Sequence, residues 1–208
     1  MRRNSKLRTL AISEVAEETT TQQSQPSISF VADESLIYIR DRINLYDGDI
    51  FEDVVKEIMT NENFDGNIYL SINSPGGSLD DTLSIIAQMH ELQKEGIKFH
   101  ATAKTTCASG ACMILIEADY RHARAFSKLM YHPPLFQTEP LLEGMIIDLA
   151  LIKEYEKEIA NSWKYMKEQL QRRTKLTDKQ INKIFKSGKD FNMTVEEALK
   201  YGFIDDIL

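Results

Sequence analysis

The stretch from Thr105 to Ile116 is Thr-Thr-Cys-Ala-Ser-Gly-Ala-Cys-Met-Ile-Leu-Ile, and residues 129–134 are Leu-Met-Tyr-His-Pro-Pro. The first segment places Ser109 between an alanine and a glycine, just before an apolar run that predicts a helix. The second is a short apolar strand that ends at His132, because two prolines prevent it from continuing. A serine at a helix start and a histidine at a strand end are two of the parts that nucleophilic catalysis requires. Both are therefore candidate catalytic residues.

The composition is typical of one globular domain with an acidic balance. The chain has 208 residues, of which 42% are hydrophobic and 27% are charged, and this length is enough for one sizeable core. Its formal net charge of −7 argues against a nucleic-acid partner, because phosphate binding requires a basic face. No apolar run approaches the ~20 residues of a membrane span, and no signal segment is evident. We therefore expect a cytoplasmic protein without a membrane or nucleic-acid partner.

The cysteines and the remaining histidines predict no metal site. Cys107 and Cys112 lie five residues apart at a helix start, so we expect them on different faces and unbridged, as buried packing residues. Thiols without a disulfide framework are typical of a reducing compartment. His90 is expected on a helix surface, His100 in a strand and His122 in a charged loop, all in structural or solvated roles.

Residues 1–29 differ from the rest and predict a flexible N-terminal arm or pro-segment, followed by a single domain over residues 30–208. The arm is basic up to Arg8 and rich in Glu, Thr, Gln and Ser from Glu14 to Gln25, so it offers little to bury. A transit peptide is an alternative, but its acidic residues count against that reading.

Strands alternate with helices in the first two thirds of the chain. Strands are predicted at residues 35–45, 67–73, 97–103 and 128–131, and helices at 47–60, 79–92 and 108–118. This order predicts an α/β fold with parallel strands and right-handed crossovers. Ser74-Pro-Gly-Gly77 is expected to form a tight strand-to-helix turn, with Ser78 as the N-cap of the following helix.

A long helix is predicted from Pro140 to about Arg173. Its apolar stripe consists of Met145, Leu149, Ile152, Ile159, Trp163, Met166 and Leu170. At roughly 45 Å it is too long to lie within a compact body of this size, so we expect it to project and to pack against another copy. A short helix should follow Thr177, and a capping box at Thr194 should open a last helix that ends at Gly202 before a short terminal strand.

The remaining parts of a hydrolytic site can be assigned from the same pattern. Asp190, in a loop after the long helix, is the candidate for the acid that orients His132, with Asp119 and Asp148 as weaker alternatives. The backbone N–H groups of Gly77 and Gly110 lie near helix starts, where an oxyanion would be stabilised.

These motifs resemble those of the proteolytic subunit of Clp protease. The resemblance rests on Ser74-Pro-Gly-Gly77, Ala108-Ser109, Met130-Tyr-His132-Pro and the tail containing Asp190, Glu197-Ala and Tyr201-Gly-Phe-Ile-Asp205, and it covers about residues 35–208. It implies a catalytic triad of Ser109, His132 and Asp190, with Gly77 and Gly110 forming the oxyanion hole. It also implies a crotonase-like fold of repeated ββα-type units with a protruding handle helix.

The resemblance further implies an ATP-dependent serine endopeptidase that hydrolyses polypeptide substrates inside a chamber. That chamber would be a homo-oligomer of stacked rings, with contacts between the rings made by the handle helix. An AAA+ unfoldase partner would use the ATP, and this subunit itself would bind no cofactor.

Three departures from the family pattern indicate a divergent, for example phage-encoded, member. The family usually has Ser-Met-Gly at Ser109-Gly-Ala and His-Gln-Pro at His132-Pro-Pro, and residues 135–143 lack its glycine-rich strand. The alternatives are a phage head-maturation protease that acts without an unfoldase, a crotonase-type acyl-coenzyme A enzyme and an inactive ring subunit. The last two leave a complete Ser-His-Asp set unexplained.

Overall fold

The computed structural model describes residues 27–133 and 149–208. Its strands are β1 (Ile28–Val31), β2 (Leu36–Ile43), β3 (Asn67–Gly77), β4 (Lys98–Ala108), β5 (Tyr120–Ala123), β6 (Lys128–Tyr131), β7 (Phe191–Met193) and β8 (Asp206–Ile207). Its helices are α1 (Asp47–Met59), α2 (Leu79–Lys94), α3 (Gly110–Glu117), α4 (Leu149–Arg173), α5 (Asp178–Ser187) and α6 (Val195–Tyr201). A short 3₁₀ turn, Ala32–Glu34, joins β1 to β2.

Parallel pairing in the middle of one sheet confirms the predicted α/β class. Strands β2, β3 and β4 are parallel neighbours, and β4 then serves two parallel partners. The first half of β4 pairs with β5, whereas its last residues pair with β6. The antiparallel pairs lie at the margins, where β1 joins β2 and β7 joins β6. This arrangement places the ends of β4 and β6 side by side.

The Ser-Pro-Gly-Gly segment corrects one prediction, because it is not a tight turn. Strand β3 continues through Gly77, with Arg42 paired to Gly76 and Ile43 paired to Gly77 on β2. Main-chain pairing therefore extends past the apolar alternation that marks the strand in the sequence. The N-cap prediction is confirmed, since Ser78 Oγ accepts a hydrogen bond from the Asp81 N–H at 3.3 Å.

The segment around His122 corrects a second prediction, because it forms β5 rather than a charged loop. Its charge is matched by specific partners. The Arg121 guanidinium binds the Asp205 carboxylate and also donates to the carbonyl oxygens of Arg173 and Gly202, at 2.7 and 2.8 Å. A segment with such partners can pair within a sheet even though its composition resembles that of a loop.

Strand β1 spans the predicted boundary between the arm and the domain. It begins at Ile28, and both Ile28 and Phe30 are buried in the core. Residues 1–26 of the predicted arm lie outside the described residues.

Helix α4 contacts the body of the protein through its C-terminal half. Met166, Gln169 and Leu170 are buried, whereas the described charged side chains nearer its start are exposed: Lys153, Glu154, Glu156, Lys157 and Glu158. Residues 140–148 of the predicted long helix lie outside the described residues. The predicted capping box at Thr194 and the left-handed Gly202 that ends α6 are both confirmed.

Among the described helices, none has the length and apolarity needed to cross a bilayer.

Candidate active site

Ser109 occupies the single residue between β4 and α3, in an unusual backbone conformation. Its φ of 54° and ψ of −125° are rare for a residue with a side chain and cost about 1–3 kcal/mol. Hydrogen bonds hold the turn on both sides, because the Ser109 N–H donates to Met130 O at 2.9 Å and the Met113 N–H donates to Ser109 O at 3.1 Å. The Ser109 side chain makes no capping bond to α3. A strand–serine–helix turn of this kind presents a nucleophile at the end of a sheet.

His132 follows the last residue of β6 and lies next to this turn. The pairing of Ala108 with Met130 aligns the two strand ends, so the residues that follow each strand are neighbours. His132 is partly exposed, and its Nδ1 lies 2.5 Å from Pro133 O. Among the described residues, no hydrogen bond joins His132 to Ser109 Oγ. Such bonds often form fully only when substrate is bound.

One cavity of about 500 Å³ contains four of the five predicted site residues, namely Ser109, His132, Gly77 and Gly110. The rest of its lining is Arg42, Pro75, Gly76, Ser78, Leu79, Asp80, Met113, Glu158 and Met166. The cavity thus joins the ends of β3, β4 and β6 to the start of α3 and to one side of α4.

The end of β3 approaches Ser109 so closely that Gly76 has no room for a side chain. A Cβ on Gly76 would lie 2.6 Å from Ala108 O and 2.7 Å from Ser109 Cβ, and its φ is +87°. Ser74 stabilises this end of β3, because its hydroxyl accepts from the Gly76 N–H at 3.0 Å and donates to Asp41 O at 2.5 Å. Glycine at this position therefore allows the β3 backbone to contact the turn that carries Ser109.

The two predicted oxyanion donors both border the cavity. Gly110 is the first residue of α3, so its N–H has no acceptor within the helix and lies at the positive end of the helix dipole. A side chain at Gly110 would overlap the Thr82 hydroxyl, and one at Gly77 would overlap the Ile43 carbonyl oxygen. Both positions therefore require glycine for steric reasons.

Asp190 is the predicted site residue that does not border this cavity. Its side chain is exposed, lines a separate cavity beside α5, and makes no hydrogen bond to any described residue. Nevertheless, β7 pairs antiparallel with β6, and the last pair is Tyr131 with Phe191. Extending this ladder by one residue would place Asp190 opposite His132, with Cβ atoms ~5 Å apart.

The alternative acid that the structure describes, Asp119, does not line the cavity. Asp119 accepts hydrogen bonds from Phe99 N–H, Gln93 and Lys98, at 3.0, 2.9 and 3.0 Å. Burial raises the pKa of Asp119, but these hydrogen bonds outweigh burial and lower it overall. Asp119 is thus engaged in holding β4 and α2, and Asp148 lies outside the described residues.

Several cavity residues could not be identified from the sequence. Arg42 enters the site through its pairing with Gly76, and that register is visible only in the folded sheet. Met166 and Glu158 come from α4, where the sequence shows an apolar stripe and a charged face without indicating what each faces. Gly76 could have been singled out from the Gly-Gly pair, but only its contact with Ser109 explains its role.

The two cysteines are buried and free, which confirms that they are unbridged packing residues. Burial raises the pKa of the Cys107 thiol well above its usual range, and a hydrogen bond with the Cys112 thiol raises it further.

Two of the other histidines, His90 and His100, have structural partners. His90 Nε2 lies 3.1 Å from Glu117 Oε2, and the ring of His100 stacks between Tyr69 and Tyr120, with centroids 4.9 and 4.4 Å away. In the part of the chain that the structure describes, no group of three His, Cys, Asp or Glu residues could hold a metal ion.

The chain matches the protein-family model described as Clp protease over residues 19–208. The match covers well over half of the chain and therefore shows the family. It implies a peptidase with peptide substrates and an oligomeric assembly, and the α/β architecture agrees with it.

Proposed function

We propose that this chain, which belongs to the Clp protease family, is a serine endopeptidase subunit that uses Ser109 as its nucleophile and His132 as its general base. The observation that carries the proposal is the shared cavity, in which a serine in a strained turn meets a histidine and two glycine N–H groups. These are the parts that acyl transfer requires.

The strongest competing role for Ser109 is that of a helix cap, and its geometry argues against that role. Ser78, at the start of α2, shows what a capping serine does here, because its hydroxyl accepts from the Asp81 N–H. Ser109 precedes α3 in the same way but makes no such bond. Its strained backbone therefore brings no capping benefit, whereas it does direct the residue into the cavity.

In the proposed reaction, Ser109 Oγ attacks the substrate carbonyl carbon while His132 accepts the hydroxyl proton. The N–H groups of Gly77 and Gly110 stabilise the oxyanion of the tetrahedral intermediate. His132 then donates the proton to the leaving amine, and water hydrolyses the acyl-enzyme through the same steps in reverse order. No resident cofactor takes part in this sequence.

Asp190 is proposed to orient the imidazole of His132 and to stabilise its charged form. The β6–β7 register supports this assignment, since one further ladder pair would place Asp190 beside His132. The described conformation lacks that pair. The proposal therefore requires the β6–β7 ladder to extend by one pair, which brings Asp190, in the loop before β7, opposite His132. Such an extension would make activity dependent on the state of this loop.

The finer family properties are part of the same proposal. They are stacked rings that meet through α4, an ATP-using AAA+ unfoldase that delivers folded substrates, and a cytoplasmic location. The exposed side chains described between Lys153 and Glu158 on α4 support a role in assembly. We expect short peptides to be cleaved without ATP, whereas folded proteins should require both ATP and the unfoldase.

A phage maturation protease would use the same site, so only the unfoldase requirement distinguishes it. A crotonase-type acyl-coenzyme A enzyme is not favoured by the family match. Acyl-coenzyme A turnover that survives Ser109→Ala would support that alternative.

The proposal is tested by labelling with a fluorophosphonate probe, followed by peptide mapping by mass spectrometry. We expect one adduct, on Ser109, and none in Ser109→Ala. Ser78→Ala is the matched control, because it removes a hydroxyl from the same cavity, and it should be labelled at the wild-type rate. Peptide hydrolysis without an adduct on Ser109 would overturn the proposal.

A further inference from the structure

Gln169 on α4 has a fully buried side-chain amide, whose donor and acceptor are hydrogen-bonded to two different elements. Its relative exposure is 0%, and its Nε2 donates to Met113 O on α3 at 3.1 Å. Its Oε1 accepts from the hydroxyl of Tyr131 on β6 at 3.2 Å. The side chain therefore forms a bridge between α3 and β6.

Both ends of this bridge lie one step from the proposed reacting residues. Met113 is one helical turn after Ser109, and its N–H binds the Ser109 carbonyl oxygen at 3.1 Å. Tyr131 immediately precedes His132 and is itself fully buried. The Tyr131 hydroxyl also lies 3.4 Å from Met166 O, which adds a second contact to α4.

We infer that Gln169 is a positioning residue that fixes the separation of Ser109 and His132 by holding α3 and β6 at a set distance. The inference rests on the proposed function. It also gives α4 a second role, because a displacement of this helix would be transmitted through Gln169 to the nucleophile and the base.

A merely space-filling role does not account for this amide. Leucine or methionine would fill the same volume at no polar cost, whereas a buried amide is costly unless its groups are hydrogen-bonded. In this site the donor and the acceptor are each satisfied, by groups on separate elements. Reversing the amide would place its oxygen against Met113 O, where neither oxygen has a proton to donate, so the bridge specifies one arrangement.

The test compares Gln169→Met and Tyr131→Phe with a control, Gln93→Met. Gln93 likewise joins two elements by its amide, with bonds to Glu117 O and Asp119 at 3.0 and 2.9 Å, but it lies away from the cavity. We expect Gln169→Met and Tyr131→Phe each to lower kcat about tenfold or more, with KM changed less than about twofold. Phosphonate labelling of Ser109 should slow by a similar factor. Gln93→Met should lower Tm and leave kcat within about twofold of wild type.

The double variant Gln169→Met/Tyr131→Phe should be no slower than the slower single variant, because both substitutions break one bridge. Unchanged kcat and labelling rates in folded Gln169→Met and Tyr131→Phe would overturn the inference while leaving the proposed function intact. If the wild-type protein itself is not labelled at Ser109, the proposed function fails first. If Gln169→Met does not fold, Tyr131→Phe decides, because it removes only a hydroxyl.

Discussion

His132 is approached from two sides, and the two approaches differ in how firmly the fold holds them. On the Ser109 side, β4 and β6 pair in parallel, and a further hydrogen bond from the Ser109 N–H to Met130 O continues the ladder beyond the strands. On the Asp190 side, the antiparallel ladder of β6 with β7 stops at Tyr131 and Phe191, one residue short. The proposed nucleophile is thus built into the sheet, whereas the proposed acid lies on a loop next to it.

The fold of a single chain therefore positions Ser109 beside His132, whereas positioning Asp190 beside His132 requires one further ladder pair. The Ser109 turn is fixed by contacts with β3, β6 and α3, so it exists in every copy of the chain. The position of Asp190 depends on a single additional ladder pair, which is a small change of the kind that assembly or substrate binding can bring about. The experiments below test the two sides separately.

The largest effect is expected from the Ser109 side. Ser109→Ala should lower kcat for a fluorogenic peptide by about 10⁶-fold, to the background, because the nucleophile is lost. Ser78→Ala should lower stability by about 1 kcal/mol through loss of the α2 cap and should leave kcat near wild type. Equal losses of activity in the two variants would show that the cavity tolerates no loss of a hydroxyl. They would then no longer support Ser109 as the nucleophile.

A somewhat smaller effect is expected from the Asp190 side. Asp190→Asn should lower kcat by about 10⁴-fold near neutral pH, because an amide cannot stabilise a charged imidazole. Asp178→Asn, which removes one negative charge from the start of α5, serves as the control and should change kcat less than about twofold. If Asp190→Asn changes kcat as little as this control, the proposal that Asp190 orients His132 is wrong.

Two glycines allow the rigidity of the two sides to be compared directly. A Cβ at Gly76 would press on Ser109, so Gly76→Ala should lower kcat by about 100-fold through displacement of the nucleophile. A Cβ at Gly188, near Asp190, would meet no atom within 4 Å, although its φ is +60°. Gly188→Ala should therefore cost about 1–2 kcal/mol of folding stability and little activity. A lower kcat in Gly188→Ala than in Gly76→Ala would contradict the conclusion that the turn carrying Ser109 is held rigidly.

The smallest effect concerns stability at low pH, far from both sides. Burial raises the pKa of Asp205, but its hydrogen bonds and ion pair with Arg121 outweigh this and lower it overall. Because the folded-state pKa lies below the unfolded value, this carboxylate stabilises the fold above about pH 4 and less so as the pH falls below it. Asp205→Asn should lower the free energy of unfolding at pH 7 and flatten its decline in acid. Parallel pH curves for both proteins would exclude this pair as a source of acid sensitivity.

The sequence was sufficient to predict most of the elements and four of the residues that line the cavity, namely Ser109, His132, Gly77 and Gly110. Periodicity and capping signals predicted the parallel strands, the α2 cap at Ser78 and the box at Thr194, because these depend on local residue choice. Ser109 and His132 were recognisable because each stands where an element changes type. Their proximity follows from adjacent parallel strands, which the sequence order also implies.

What the sequence could not provide depends on register and on long-range pairing. The extension of β3 through Gly77 results from pairing with β2. Strand β5 can form because the Arg121 guanidinium is hydrogen-bonded to Asp205 and to the carbonyl oxygens of Arg173 and Gly202. Likewise, Gln169 is hydrogen-bonded to Met113, 56 positions earlier in the chain, and to Tyr131, 38 positions earlier. No local sequence pattern predicts contacts over such separations.

The most direct test of the account is a structure of the oligomeric particle after reaction with the fluorophosphonate. We predict a phosphorus bonded to Ser109 Oγ, with its oxygen within ~3.1 Å of the N–H groups of Gly77 and Gly110, and His132 within hydrogen-bond reach. In the same particle Asp190 should have moved opposite His132. An adduct on another residue, or a His132 ring turned away from the adduct in every subunit, would contradict the account.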